Sequence, residues 1–109
     1  MGYATCTVTE NNNGISCNPD KVTVSRANQD GVTWTFANAG YTFTGVEING
    51  TRAPTGDFGT PVISTNNAGR SVMSVSDTVA DLGDYSYTLL YTDPQGREGR
   101  FDPTIRNNP

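Results

Sequence analysis

One stretch, residues 81–92, constrains the fold of this chain more than any other. It reads Asp-Leu-Gly-Asp-Tyr-Ser-Tyr-Thr-Leu-Leu-Tyr-Thr, with large side chains at every second position of its second half. A period of two is that of a β-strand. The aspartate, glycine and tyrosine at positions 81, 83 and 85 are typical of a tyrosine corner, although a generic turn before an aromatic strand explains the same letters. The residues predicted to share one face are Tyr85, Tyr87, Leu89 and Tyr91.

Similar runs separated by turn signals occur along the whole chain, which is rich in Thr, Ser, Asn and Gly. This composition favours strands and turns over helices. Trp34, the only tryptophan, lies in an early alternating run, upstream of the aromatic strand, as in immunoglobulin-like domains. We therefore predict one domain, residues 1–109, folded as an all-β, immunoglobulin-like antiparallel β-sandwich of seven to nine short strands. The predicted core is Val22, Val24, Trp34, Phe36, Phe43, Ile48, Val75, Tyr85, Tyr87 and Leu89.

Two glycines carry local predictions. Asn49-Gly50 is a strong signal for a type I′ hairpin turn, and we prefer this interpretation to the glycosylation sequon that Asn49-Gly50-Thr51 also spells. Gly45 is expected to mark a β-bulge, because the apolar positions change phase there.

Cys6 and Cys17 flank Asn11-Asn12-Asn13-Gly14, which is typical of a hairpin loop. Folding back at Asn11 and Asn12 would place the two cysteines opposite each other and favour a disulfide worth about 3 kcal/mol. The alternative is a pair of buried thiols in a reducing compartment. With a disulfide slightly preferred, we expect an extracellular or cell-surface location rather than the cytoplasm.

The charges exclude several functions. The formal net charge is -4, and one lysine and six scattered arginines form no basic stripe, so we expect no nucleic-acid partner. No apolar run is long enough for a membrane span.

Since the chain has no histidine, it cannot hold a Ser-His-Asp triad, and two thiols alone would leave a zinc site half empty. We expect no cofactor and no metal.

The Asp102-Pro103 bond is the candidate for chemistry. The aspartate carboxyl can attack its own carbonyl, and a proline nitrogen leaves readily once it is protonated. A strained bond next to a second carboxylate or an activated water could therefore break by aspartate chemistry. Asp93-Pro94 lies in an ordinary predicted turn and serves as an internal control.

The C-terminal residues 102–109 form an arm that resembles the closing motif of the DP-EP family, small bacterial β-sandwich proteins ending in Asp-Pro-x-Ile-x-Asn-Glu-Pro. In this chain Asn108 stands where that motif has glutamate. The resemblance implies an immunoglobulin-like sandwich and self-cleavage at the Asp-Pro bond. The structural alternative is an arm or final strand that its prolines keep out of central ladder positions. The matching residues are Asp102, Pro103, Ile105, Asn107 and Pro109.

A second covalent candidate uses the single lysine. Some immunoglobulin-like surface domains join a lysine on an early strand to an Asn or Asp on the last one. Lys21 begins an early strand, and Asp102, Asn107 or Asn108 would supply the partner. An exposed lysine at the start of a strand is the more ordinary interpretation.

These observations predict a non-enzymatic binding or structural module. Exposed edges such as residues 61–64, or the C-terminal arm, would pair with a protein partner or a second copy. The alternative is single-turnover self-cleavage at Asp102-Pro103, which would make the protein an autoproteolytic peptidase of the aspartic type.

Overall fold

The fold is given by a computed structural model that describes residues 2–11, 14–18, 21–25, 29–77, 83–101 and 104–108. These residues form strands and turns, and none of the described segments is a helix long and apolar enough to cross a membrane. The strands are β1 (Gly2–Asn11), β2 (Gly14–Asn18), β3 (Lys21–Ser25), β4 (Gln29–Phe36), β5 (Thr42–Ile48), β6 (Thr51–Arg52), β7 (Val62–Thr65), β8 (Ser71–Ser76), β9 (Gly83–Thr92), β10 (Glu98–Phe101) and β11 (Thr104–Asn108).

The strands build two sheets that pack against each other. The first sheet has the order β2-β1-β4-β8-β7, and the second has the order β3-β11-β9-β5-β6, with β10 also paired to β9. Most neighbouring strands are antiparallel, whereas the pairs β1–β4 and β3–β11 are parallel. The predicted all-β sandwich is therefore confirmed, and its immunoglobulin-like character stays a prediction.

The centre of the core is a contact between Trp34 of the first sheet and Tyr87 of the second. Their ring centroids are 5.2 Å apart, and the indole Nε1 donates a hydrogen bond of 2.9 Å to the Tyr87 hydroxyl. Of the predicted core, Tyr85 is only half-buried, and the side chain of Val22 lies outside the described part. The predicted core residues that are buried are Val24, Trp34, Phe36, Phe43, Ile48, Val75, Tyr87 and Leu89.

Strand β9 has the predicted alternation. Tyr87 and Leu89 are buried, and Tyr85 and Tyr91 are half-buried and pack against the same core. Residues 81 and 82 of the expected tyrosine corner lie outside the described residues, so the corner stays a prediction.

Both glycine-based predictions of local structure are confirmed. Asn49 and Gly50 have φ values of 50° and 86°, and Ile48 pairs with Thr51, which is the geometry of a type I′ hairpin. The register between β5 and β9 shifts between Phe43 and Gly45, which places the bulge where the apolar phase changes.

The C-terminal segment differs from the prediction. Strand β11 lies inside the second sheet, antiparallel to β9 and parallel to β3, rather than outside the ladder. The expectation that prolines would exclude the tail from a central position is wrong, because Pro103 and Pro109 flank the strand. Residues 104–108 contain no proline, so each retains the N–H group that a ladder needs.

Candidate functional site

Asp102 and Pro103 lie outside the described residues, but their neighbours on both sides pair with β9. Phe101 pairs with Leu89, and Thr104 pairs with Ser86. Two residues lie between Phe101 and Thr104, and two lie between Ser86 and Leu89. Strands β10 and β11 therefore pair with β9 in the same register. The bond predicted to break therefore lies, in the sequence, between two strands that both pair with β9.

A carboxylate is present on the neighbouring strand. Glu47 of β5 pairs with Thr88, one of the two β9 residues between Ser86 and Leu89. Its Oε1 accepts a hydrogen bond of 2.6 Å from Nη2 of Arg100, two residues before Asp102. The Glu47–Arg100 ion pair thus links β5 to β10, the strand that precedes the Asp-Pro bond in the sequence. Sequence analysis singled out no partner carboxylate, because the pairing of β5 with β9 could not be read from spacing alone.

The internal control, Asp93-Pro94, has a well-defined environment. The Asp93 carboxylate accepts hydrogen bonds from the backbone N–H groups of Gln95 and Arg97 and from Nε of Arg97, at 2.8 to 2.9 Å. These bonds, led by the one from the Arg97 backbone, hold the pKa of Asp93 below its usual range. A carboxylate fixed in this way is a poor nucleophile towards its own carbonyl.

Lys21 and its candidate partners Asn107 and Asn108 lie on adjacent parallel strands, but they are not opposite each other in the register. Lys21 pairs with Thr104, whereas Asn107 and Asn108 pair with Val24 and Ser25. An offset of three or four residues corresponds to roughly 10–13 Å along a strand. The side chains lie outside the described part, and the crosslink stays a prediction that this register does not favour.

Cys6 and Cys17 are both buried, and no disulfide joins them. The predicted register is wrong, because the ladder reaches the pair Asn11–Gly14, and Cys17 therefore lies opposite Val8. Cys6 becomes a diagonal neighbour on the same face, at about 7–8 Å, beyond the usual Cα separation of a disulfide. A disulfide would require a backbone shift, and it stays a prediction.

The cysteines instead belong to the central aromatic cluster. Sγ of Cys17 lies 3.9 Å from the hydroxyl of Tyr87, which also accepts the Trp34 hydrogen bond. Burial, reinforced by Cys17, raises the pKa of Tyr87 far above its usual value. This cluster is closed to solvent and serves the packing of the two sheets.

The edge strand predicted at residues 61–64 is present one residue later, as β7 at Val62–Thr65. It pairs with β8 on one side, and all four of its residues are exposed. Val62 and Ile63 are exposed to 66% and 41%, so large β-branched side chains face solvent here. No charged residue occurs between Asp57 and Arg70.

Sequence analysis missed a cleft next to Tyr41 and Tyr91. Both rings contact Phe36, at centroid distances of 5.2 and 5.6 Å, and both are half-buried at one end of the sandwich. The alternation of β9 showed that Tyr91 faces inward, but it did not show that the sandwich opens there. That depends on which hairpins meet at this end.

Searches with the sequence found no protein-family model and no curated protein that matches it.

Proposed function

We propose that this protein is a binding and assembly module whose β7 edge pairs with the β7 edge of a second copy. The observation that supports this proposal is that all four residues of Val62–Thr65 are exposed at the end of the first sheet. An edge strand offers unpaired N–H and C=O groups to another chain, and strand addition satisfies them.

Edge strands are normally protected by charges, prolines or bulges. In β7 such protection is limited to Pro61, immediately before the strand, because residues 58–69 carry no charge. Two copies can therefore meet antiparallel across a two-fold axis without repulsion between like charges, and the β7 residue next to the axis lies opposite the same residue of the other copy. This interface is self-complementary, as a two-fold interface must be. A contact of one short strand is small and belongs to the weak, transient class.

Sedimentation velocity over a concentration series tests the proposal. We expect the average mass to rise from one chain towards two, and Ile63→Lys to keep the protein monomeric. Thr5→Lys is the matched control, because it adds the same charge to an exposed position of β1, an interior strand of the same sheet. A monomer at every concentration, or equal loss of association in both variants, contradicts the proposal.

A second function, self-cleavage at Asp102-Pro103, is supported by the Glu47–Arg100 pair, which involves a residue of β10 two positions before this bond. In the proposed reaction a carboxylate oxygen of Asp102 attacks the Asp102 carbonyl carbon and forms a cyclic anhydride. The bond to the Pro103 nitrogen breaks as that nitrogen takes a proton from water, and the Glu47 carboxylate, which forms an ion pair with Arg100, would act only as an acceptor for that water. One water molecule then opens the anhydride, leaving fragments 1–102 and 103–109.

Intact mass under native and denaturing conditions tests this reaction. Because β11 pairs with both β3 and β9, we expect the short fragment to remain bound in native buffer and to separate only on denaturation. Asp102→Ala should abolish cleavage, Glu47→Gln should slow it, and Asp93-Pro94 should remain intact. A single full-length mass after prolonged incubation, or equal cleavage at both Asp-Pro bonds, excludes this function.

A further inference from the structure

The cleft at the Tyr41–Tyr91 end lies at the edge of the first sheet opposite β7. It has a volume of about 270 Å³. The β1–β2 hairpin forms one wall and the β9–β10 hairpin forms the other, with the two tyrosines between them. This volume is below that of a typical drug-sized site, so the cleft suits one side chain or a small ligand. Its lining includes Glu10, Ile15, Tyr41, Tyr91, Arg97 and Glu98.

The two tyrosines form an aromatic corner. Their ring centroids are 6.1 Å apart, and the ring planes meet at 51°. Tyr41 stacks on Phe36, and Tyr91 lies against Gly99, where an added Cβ would come within 2.3 Å of the Tyr91 ring. Gly99 is therefore required for this ring position. Rings held in this way present their π-systems and hydroxyls at a fixed place.

The charges around these rings are mostly negative. Three carboxylates, those of Glu10, Asp93 and Glu98, line the cleft together with one arginine, Arg97. Nε of Arg97 lies 2.8 Å from Asp93 Oδ2, so this ion pair compensates its own charges. Glu10 and Glu98 remain as the excess negative charge of the cleft.

The pKa values of both tyrosine hydroxyls are raised in this cleft, by burial and by the nearby carboxylates. Burial is the largest cause that raises the pKa of Tyr41, and the next causes are the charge of Glu10 and a hydrogen bond to it. Burial also raises the pKa of Tyr91, followed by the charges of Asp93 and Glu10. The carboxylate charges that disfavour a phenolate attract a cation, whereas burial disfavours a charge of either sign.

The walls of the cleft are fixed before any ligand binds. The Glu10 backbone N–H donates to Asn38 Oδ1 at 2.9 Å, and Asn38 Nδ2 donates back to the Glu10 carbonyl at 3.0 Å. On the other wall, the Asp93 hydrogen bonds to Gln95 and Arg97 hold the β9–β10 turn. Such preorganisation lowers the conformational entropy lost on binding.

We propose that this cleft binds an alkylammonium group, between the Tyr41–Tyr91 corner and the carboxylates of Glu10 and Glu98. Aromatic rings attract such cations through their quadrupoles, and the carboxylates add charge attraction. A metal ion fits less well, because the described residues contain no group of three or more side chains suited to holding one. The ammonium group would come from a lysine side chain of a protein or from a free polyamine.

NMR titration of the isotope-labelled protein tests this proposal with three probes: Nα-acetyl-lysine methylamide, putrescine and the uncharged 1-butanol. We expect both cations to shift the amide signals of both hairpins, with a dissociation constant on the order of millimolar, and the alcohol to shift none. Tighter binding of the lysine derivative indicates a protein ligand, and tighter binding of putrescine indicates a polyamine. Added salt should weaken both interactions.

Two variants separate a specific site from general attraction to an acidic protein. Glu98→Gln should weaken cation binding about two- to five-fold without affecting the fold, since Glu98 is exposed. Asp30→Asn makes the same charge change at the far end of β4 and should leave binding unchanged. Equal weakening in both variants, equal shifts with 1-butanol, or no shifts at all would overturn the proposal. None of these results depends on the association through β7, which is measured separately.

Discussion

The two aromatic pairs of this sandwich have similar geometry and opposite surroundings. The Trp34–Tyr87 pair has a centroid distance of 5.2 Å and a tilt of 45°, and the Tyr41–Tyr91 pair has 6.1 Å and 51°. The first pair is less than 2% exposed and satisfies its polar atoms internally. The second is half-buried, and its hydroxyls lie near carboxylates at the surface.

Strand β9 supplies one tyrosine to each pair. Tyr87 and Tyr91 lie on the same face, four residues and roughly 13 Å apart. The difference between the pairs therefore comes from what covers them. The first sheet and Cys17 close over Tyr87, whereas Tyr91 lies where two hairpins leave a gap. The same residue type thus contributes stability at one position and a binding surface at the other.

The largest expected difference between the pairs is in stability. Trp34→Ala removes the largest buried side chain and should lower the free energy of unfolding by about 3–5 kcal/mol. Tyr41→Leu, at the half-buried pair, should cost less than half as much while weakening cation binding. Urea denaturation of both variants measures this, and equal losses would show that the two pairs are not distinct.

The sequence pattern predicted the buried Trp34–Tyr87 pair (the closed pair) better than the half-buried Tyr41–Tyr91 pair (the open pair). Alternation placed Trp34 and Tyr87 on inward faces, and a period of two leaves little freedom once one face is buried. The turn at Asn49-Gly50 was predictable because few residues besides Asn and Gly adopt positive φ at both positions.

Registers and neighbours were less predictable. The cysteine pairing was wrong by two positions because several consecutive asparagines fit the hairpin loop equally well. The position of β11 between β3 and β9 depends on long-range pairing that no local signal specifies. The Tyr41–Tyr91 cleft was missed for a similar reason, since its walls come from hairpins distant in sequence.

A medium effect is expected from removing a single hydroxyl in the closed pair. Tyr87→Phe keeps the ring but leaves the buried Trp34 Nε1 without the acceptor it now has, which should cost about 1–3 kcal/mol. Tyr91→Phe removes a hydroxyl from the open pair, where water can replace it, and should cost less. Chemical denaturation at neutral pH measures both losses.

The same pair of variants gives a test at alkaline pH. The raised pKa of Tyr87 means that its neutral form is the one the folded state holds, so stability is retained below about pH 10, the usual tyrosine value, and decreases above it. The wild-type protein should lose stability steeply above that pH, and Tyr87→Phe should lose it less steeply. Equal slopes would indicate that the hydroxyl is not shielded from solvent.

The smallest effect concerns the rim of the open pair, where Asp93 anchors the β9–β10 turn. Its pKa is lowered by the hydrogen bonds from Arg97 and Gln95, so its charged form stabilises the folded state above about pH 3.9, the usual aspartate value. This contribution should disappear as the pH falls through the lowered folded-state pKa. Asp93→Asn keeps an acceptor for the turn but removes the charge that faces Arg97. The difference between wild type and variant in urea midpoint should therefore be small at neutral pH and vanish in acid. If the difference persists in acid, the hydrogen-bond geometry of the turn, rather than the charge of Asp93, holds that wall of the cleft in place.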